Sequence, residues 1–547
     1  MPDDAESSPL RPDAQPLPPP PPPAARMDSA AADDETAPLS PAPATAPLRQ
    51  TPPAAWYKNV EPEPSLEGAI LVIPRAQPAR ILDFARRLYA FSGPGILIAI
   101  GYMDPGNFAT GLSAGAGYGC VHLSVVLFAS LIGIFLQALA ARLGVAGKRD
   151  LAQACRDAFP RWAALMLWVS AELAMVATDL AEVIGFAVAF QLLTGLPTWA
   201  GVALSAGDTL LLLLLPAGGG RERAVELLSF ILLVIIAACF AVQLAFAQPP
   251  AAAVLGGYLP SAALFKGEAS IIAVGILGAT VMPHNLYLHS AMMRLRAVGA
   301  GGAAAAAAAA ADTAAPSVAA ESPPALEHEQ LSLRSEAGPA APPASPGDAL
   351  AAADTQQLLE LSVWDSALSL SCAFAVNSAI VIVAAKAFHP AVESGSISLE
   401  EASSLSGAYR LLEPALGKAS STLFAVALLC SGQSSTFTGT MAGQVVMEGF
   451  LHLKLSPFIR RLLTRSVAIV PAALTAALVG DAGLNQLLVL SQVTLSFQLP
   501  FAIVPLVFFV SSSERLGPYA VSRTAAACGW VVCALIISLN LYMLSQV

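Results

Sequence analysis

The stretch "GATVMPHNLYLHS", residues 278–290, breaks a long apolar run with a proline, an asparagine and two histidines. A second stretch, "GYMDPGNFATG" at 101–111, interrupts another apolar run in the same manner. Set side by side, Asp104-Pro105-Gly106-Asn107 and Met282-Pro283-His284-Asn285 share one pattern: a potential ligand, a proline, a spacer and an asparagine. Proline removes a backbone N–H and clashes with the carbonyl one turn earlier, so each segment predicts a broken helix. One such break reads as a kink. Two that occupy matching places in the chain point to a site between them.

The composition sets the solvent. Of 547 residues 56% are hydrophobic and only 12% charged, with a mean hydropathy of +0.65. A soluble domain carries about 25% charged residues. Windows near 20 residues long and poor in charge recur, the length that spans a bilayer. They fall at about 93–118, 121–143, 162–193, 199–216, 225–247, 269–296, 362–388, 419–450, 463–480, 484–511 and 520–544. The expected fold is therefore an all-α integral membrane protein of about 11 transmembrane helices.

Four stretches follow along the chain. Residues 1–88 read as a disordered cytoplasmic tail, Pro/Ala-rich and without a cleavable signal, so the first span is expected to direct insertion. Residues 89–297 hold the first repeat and span 6. Residues 298–361 read as a low-complexity cytoplasmic loop, too poor in patterned apolar surface to offset the entropy of ordering. Residues 362–547 carry spans 7–11. The run "PLPPPPPPAA" has the polyproline composition that adaptor domains bind, which makes adaptor or trafficking proteins candidate partners of the tails. The net charge of −10 says little about partners, because much of the acid lies in the polar tails. The seven cysteines (120, 155, 239, 372, 430, 528 and 533) are odd in number and form no CxxC pair, so they read as small buried hydrophobes.

Basic residues decide the orientation. With the N-terminus in the cytoplasm, the inner side holds Arg86, Arg87, Arg142, Lys148, Arg149, Arg156, Arg161, Arg294, Arg296, Arg460, Arg461, Arg465, Arg515 and Arg523, among others. The outer side keeps only Lys266, Lys386, Arg410 and Lys418. Span 1 then starts inside and span 6 starts outside. Their Pro-x-Asn motifs occupy corresponding places in two halves of opposite topology, which predicts an inverted repeat (spans 1–5 and 6–10) with broken helices 1 and 6 and a site near mid-membrane.

The residues at the breaks suggest what binds there. Asp104 is an ionisable group near the midplane, at a cost of about 2.5–3.5 kcal/mol or more. A cation offsets that cost. Asn107 adds an amide oxygen, the unwound Ala279-Thr280-Val281 backbone a carbonyl, and Met282 a thioether. Soft sulfur disfavours Mg²⁺ and Ca²⁺ and suits a transition metal such as Mn²⁺ or Fe²⁺. Protonatable groups stand nearby. His284 and His289 follow Met282 on span 6, and imidazole titrates close to physiological pH. Asp179 and Glu182, three apart on span 3, share a helix face. Intramembrane carboxylates of this kind mark proton relays. Glu172, Asp208, Asn377 and Glu448 are weaker candidates, with gating networks and plain helix–helix contacts both open.

These motifs resemble the natural resistance-associated macrophage protein (NRAMP) family of proton-coupled divalent metal transporters. The resemblance covers roughly 88–297 and 362–511. Besides "DPGNFATG" and "GATVMPHNLYLHSA", it rests on "ARLGVAGKRDLAQACR", "AELAMVATDLAEVIGFA", "SGQSSTFTGTMAGQVVMEGF" and "VLSQVTLSFQLPFA". It implies the LeuT-type fold. It implies metal ligation by Asp104, Asn107, the Ala279 carbonyl, Met282 and, in an occluded state, Gln492. It also implies a proton pathway through His284, His289, Asp179, Glu182 and Arg465. No cofactor is expected: the divalent ion is the substrate, H⁺ is the coupling ion, and the chain is not an enzyme. A plasma, endosomal or vacuolar membrane is expected, with no nucleic-acid partner. Two other readings compete, an inverted-repeat transporter of an organic solute and a non-transporting metal sensor. An anionic Asp104 disfavours the first and a proton relay the second. An ATP-driven pump is excluded because no P-loop is visible.

Overall fold

The computed structural model describes residues 84, 86–89, 91–205, 219–314, 346–453 and 457–545. Among these, every regular element is helical. Span 1 is broken into α1 (Pro94–Gly101) and α2 (Pro105–Tyr118). Then come α3 (Leu123–Gly147), α4 (Leu151–Ala158), α5 (Arg161–Thr194), α6 (Thr198–Ser205) and α7 (Gly219–Ala247). Span 6 is broken into α8 (Glu268–Thr280) and α9 (Pro283–Ala314). The chain ends with α10 (Pro346–Ala387), α11 (Lys418–Leu451), α12 (Pro457–Leu478), α13 (Asp481–Val510) and α14 (Arg523–Leu544).

Both breaks stand at the two prolines, and each proline opens the second half-helix. Its missing N–H costs nothing there, because the first N–H groups of a helix have no intrahelical partner. The carbonyls freed by the first break are bonded by side chains from distant helices, as apolar surroundings require. The Tyr102 carbonyl accepts from Asn377 Nδ2 of α10 at 2.9 Å. The Met103 carbonyl accepts from the Ser431 hydroxyl of α11. Glycines let the neighbouring helices close on the breaks. Gly185 of α5 lies against the Pro105 ring, and Gly278 of α8 against the backbone carbonyl of Gln492.

Seven helices among the described residues are long and apolar enough to cross a membrane. The gap to eleven has physical causes. Span 1 is split into two short pieces. Span 4 lies partly outside the described residues, and with it Asp208. The 34 residues of α11 include buried Ser431, Ser434, Ser435, Thr436 and Thr438, which lower its hydropathy. Ser434, Ser435, Thr436 and Thr438 bond back to carbonyls three or four residues earlier, while Ser431 and Thr436 also bond to other helices, at the Met103 carbonyl and the Glu182 carboxylate. The apolar stretch of α12 among the described residues is the shorter Leu463–Leu478.

The loop expected over 298–361 is shorter than its composition suggested. Helix α9 continues through the alanine run to Ala314, and α10 starts at Pro346. Alanine is the strongest helix former, so a run of it extends a helix that is already nucleated. Residues 315–345, and nearly all of the 1–88 tail with its polyproline run, lie outside the described residues.

Candidate functional site

Asp104 is fully buried and caps α2. Its Oδ1 accepts from the Asn107 backbone N–H at 2.9 Å and from Asn107 Nδ2 at 2.7 Å. A carboxylate at a helix N-terminus faces the positive end of the helix dipole, which offsets part of its burial cost. Its other oxygen, Oδ2, is buried with no protein hydrogen bond. Asn107 Nδ2 also donates to the Ala279 carbonyl of α8 at 3.1 Å. One amide nitrogen thus gathers a carboxylate oxygen from the first break and a carbonyl oxygen from the second.

Met282 sits in the second break, 1% exposed, packed against Ala174 and Ala177 of α5 and Leu495 of α13. The thioether therefore lies beside the helix that carries Asp179 and Glu182. Gln492 of α13 is buried, and its amide covers Gly106 so closely that a Cβ there would fall 2.0 Å from Nε2. Its Nε2 donates to Ser491 Oγ at 3.0 Å, while its Oε1 is buried without a protein partner. The amide of Asn285, also buried and without a hydrogen-bonding partner, lies over Gly101. The structure so brings Asp104, Asn107, Ala279, Met282 and Gln492 to one place where the broken helices, α5 and α13 meet. None is more than 5% exposed.

The proton-pathway candidates form two clusters. Arg465 Nη1 donates to Glu182 Oε2 at 3.0 Å, and the Thr436 hydroxyl donates to the same oxygen at 3.2 Å. This joins α5, α11 and α12 in a buried ion pair. Asp179 is buried on α5, one turn before Glu182. The second cluster starts at His289, whose Nδ1 lies 2.9 Å from Gln137 Oε1 of α3 and whose Nε2 lies 3.4 Å from Ser366 Oγ of α10. Gln137 Nε2 donates to the Tyr102 hydroxyl at 3.0 Å, so the chain of contacts returns to the first break. His284 is buried in the first turn of α9.

Several contributors were not singled out in the sequence. Arg460, counted there only among the basic residues of the inner side, donates from Nη2 to both oxygens of Glu172 at 3.0 Å, which makes a second pair between α5 and α12. Gln137 and Asp365 are lone polar residues within apolar spans, and that isolation was the available signal. Asp365 of α10 accepts from the Gly95 N–H at 2.7 Å and from Ser92 Oγ at 2.9 Å, which fixes the start of α1. Asn377 holds the first break, whereas Glu448 accepts from Gln444 on its own helix. Among the described residues no group of three His, Cys, Asp or Glu side chains could hold a metal, so any ion here needs the amide, carbonyl and thioether donors.

The chain is similar to known proteins. Residues 95–546 match the family described as natural resistance-associated macrophage protein-like. The chain is 42% identical over 507 residues to the divalent metal cation transporter MntH of Bradyrhizobium diazoefficiens, covering 92% of this chain and 99% of that one. It is 44% identical over 512 residues to the MntH of Mesorhizobium japonicum, covering 92% and 98%. Among solved structures it resembles the Eremococcus coleocola manganese transporter in complex with an aromatic bis-isothiourea substituted compound. The TM-score is 0.68 and the identity 34%, with 88% of this chain and 91% of that one covered. The chain belongs to the natural resistance-associated macrophage protein (NRAMP) family.

Proposed function

We propose that this protein is a proton-coupled secondary transporter that moves divalent transition-metal ions, Mn²⁺ or Fe²⁺, toward the cytoplasm. One observation carries the reading. The Asp104 carboxylate and the Ala279 carbonyl converge on a single point, at 2.7 and 3.1 Å from Asn107 Nδ2, beside the buried Met282 thioether. A metal ion at that point replaces the amide N–H as the positive partner of both oxygens. Turning the Asn107 amide about χ2 then presents its oxygen instead of its nitrogen. Met282 completes a mixed oxygen and sulfur set, which suits Mn²⁺ or Fe²⁺ better than Ca²⁺ or Mg²⁺.

The proton enters the same reading through Glu182. Its carboxylate is held by Arg465 and Thr436, so protonating it weakens a buried pair that ties three helices together. Transport, not catalysis, is the function, in keeping with relatives named as transporters. The excess of basic residues on one side supports a cytoplasmic N-terminus, and the bacterial relatives favour the plasma membrane over endosomal or vacuolar membranes. Adaptor proteins remain candidate partners of the tail.

The test is uptake of Mn²⁺, Fe²⁺, Zn²⁺ and Ca²⁺ by purified protein in liposomes under an imposed pH gradient. Saturable Mn²⁺ and Fe²⁺ influx is expected, accelerated by an acidic outside and accompanied by proton entry. Metal binding without influx would make the protein a sensor. Influx of an organic solute without metal would overturn the reading altogether.

A further inference from the structure

A second site lies away from the metal motifs, at the end of the bundle where α3 finishes and α10 and α14 begin. A shallow open groove there has a volume of ≈ 60 Å³. Phe135 and Leu139 of α3 and Val363 of α10 give it an apolar wall. Arg142 and Gln356 line its polar end. Its roof is the Pro518–Ser522 connection between α13 and α14. Arg142 Nη1 donates to the Tyr519 carbonyl at 3.0 Å. Among the described residues no carboxylate stands within ion-pair distance of Arg142, in contrast to Arg156, Arg294, Arg296, Arg460 and Arg465. A half-buried guanidinium thus faces a groove with four N–H donors left over from a single backbone contact.

The surroundings select the ligand. Most of α14 faces outward: only 28% of its apolar window is buried, and Trp530, Val531, Leu535 and Leu541 are exposed. The groove therefore opens beside a lipid-facing helix. Arg142 stands five residues before the end of α3 at Gly147, about 8 Å along the axis, with Lys148 and Arg149 beyond it. A long arginine side chain so placed near the end of a membrane-crossing helix reaches out to the headgroup level. An arginine fork takes a phosphate through two parallel hydrogen bonds. Basic pockets between membrane helices on the cytoplasmic side are suited to anionic lipid headgroups.

We propose that this groove binds an anionic phospholipid of the inner leaflet, with the phosphate on Arg142 and an acyl chain along Phe135, Leu139 and Val363. The leaflet follows from the orientation argued above; binding itself does not depend on it. The roof links the groove to the helix that braces the first break, because Tyr519 also bonds Thr355 of α10. The helix that holds Asn377 and Asp365 is the same α10.

The test is native mass spectrometry of the detergent-purified protein, titrated with phosphatidylglycerol or phosphatidylcholine. Phosphatidylglycerol is expected to bind about tenfold more tightly, because the quaternary ammonium of phosphatidylcholine offsets the phosphate charge that Arg142 attracts, whereas glycerol does not. Arg142→Gln should bring the two lipids level. Ala138→Phe, which fills the apolar wall and leaves Arg142 in place, should lower binding of phosphatidylglycerol at an unchanged melting temperature, and it stands in if the Arg142 variant fails to fold. Equal binding of the two lipids by the parent protein, or undiminished preference in Arg142→Gln, would overturn the proposal. Displacement of the lipid by millimolar glycerol 3-phosphate would also overturn it, since the site would then take a soluble phosphate. None of these outcomes depends on metal transport, so a failure here leaves the transport reading standing, and the reverse holds as well.

Discussion

Asp104 concentrates the problem the protein has to solve at the scale of single residues. It is a carboxylate fully buried inside a helical membrane protein, with one oxygen bonded to Asn107 and the other without a protein partner. In Asp104→Ala, insertion should survive while Mn²⁺ uptake in liposomes falls to background; undiminished uptake would remove Asp104 from the site. Met282 poses a subtler question. An all-oxygen cage would hold Ca²⁺ or Mg²⁺ readily, and charge alone does not reject them. A thioether takes a place in the shell that a hard ion would fill with oxygen, so it works chiefly against the wrong ions. Met282→Ala leaves room for a water in that place. Mn²⁺ affinity is expected to drop by roughly tenfold, which corresponds to about 1.4 kcal/mol, while Ca²⁺ becomes a competitor. The measurement is Mn²⁺ uptake by variant and parent with and without millimolar Ca²⁺; equal inhibition of both would return Met282 to a packing role. These two residues were legible in the sequence because a charge and a sulfur beside a proline stand out in an apolar run. Gln137 and Asp365 were not, because a lone polar residue in a span shows its purpose only once its partners on other helices are known.

Between elements, the site depends on how closely α8 and α13 approach. Gly278 meets the Gln492 carbonyl so tightly that a Cβ would fall 2.0 Å from it, and a backbone atom cannot swing aside. Gly106 meets only the side-chain amide of the same residue, which can rotate. Gly278→Ala should therefore cost stability in the range of overpacking, about 1–3 kcal/mol, whereas Gly106→Ala should stay close to the parent in melting temperature and lose transport instead. If Gly106→Ala proved the less stable of the two, the closeness of α8 and α13 would not be what holds the site. The buried pair between Arg465 and Glu182 gives a second expectation. Removing one partner strands a charge and costs about 3–5 kcal/mol, while replacing both with apolar residues is often neutral. Arg465→Leu alone should melt well below the parent, and the double variant with Glu182→Leu should recover most of the loss. A double variant no more stable than the single one would show that the pair's surroundings, and not its charges, set the cost. Helical spacing alone does not say which of the three arginines near this position reaches across to α5; only the family resemblance pointed to Arg465.

At the scale of the whole molecule, the positions of the breaks and most span limits were readable because proline placement and apolar run length are local signals. The alanine run misled for a related reason. Its low complexity resembles a linker, yet its helix propensity carries α9 on to Ala314. Which helices meet was not readable, because the meeting points are glycines and carbonyls that leave no pattern in one chain. Coupling belongs to this scale, since the proposed metal ligands and the acid pair occupy different helices. Met282 packs against Ala174 and Ala177, so the metal motif abuts the helix whose next turns carry Asp179 and Glu182. On the proposed ligand set, a change in metal occupancy would bear on α5 directly, and through Glu182 and Arg465 on α12. Asp179 does not belong to the ligand cluster, and a neutral amide there removes a protonatable group while nearly keeping its volume. Asp179→Asn is expected to bind Mn²⁺ within a few-fold of the parent, by titration calorimetry, while proton entry during uptake falls sharply. Both quantities can be read on one preparation, with a pH-sensitive dye inside the liposomes for the proton. If Mn²⁺ binding collapsed while proton entry per ion stayed normal, Asp179 would be a support for the metal site and the proton would have to travel by the His289, Gln137 and Tyr102 contacts instead.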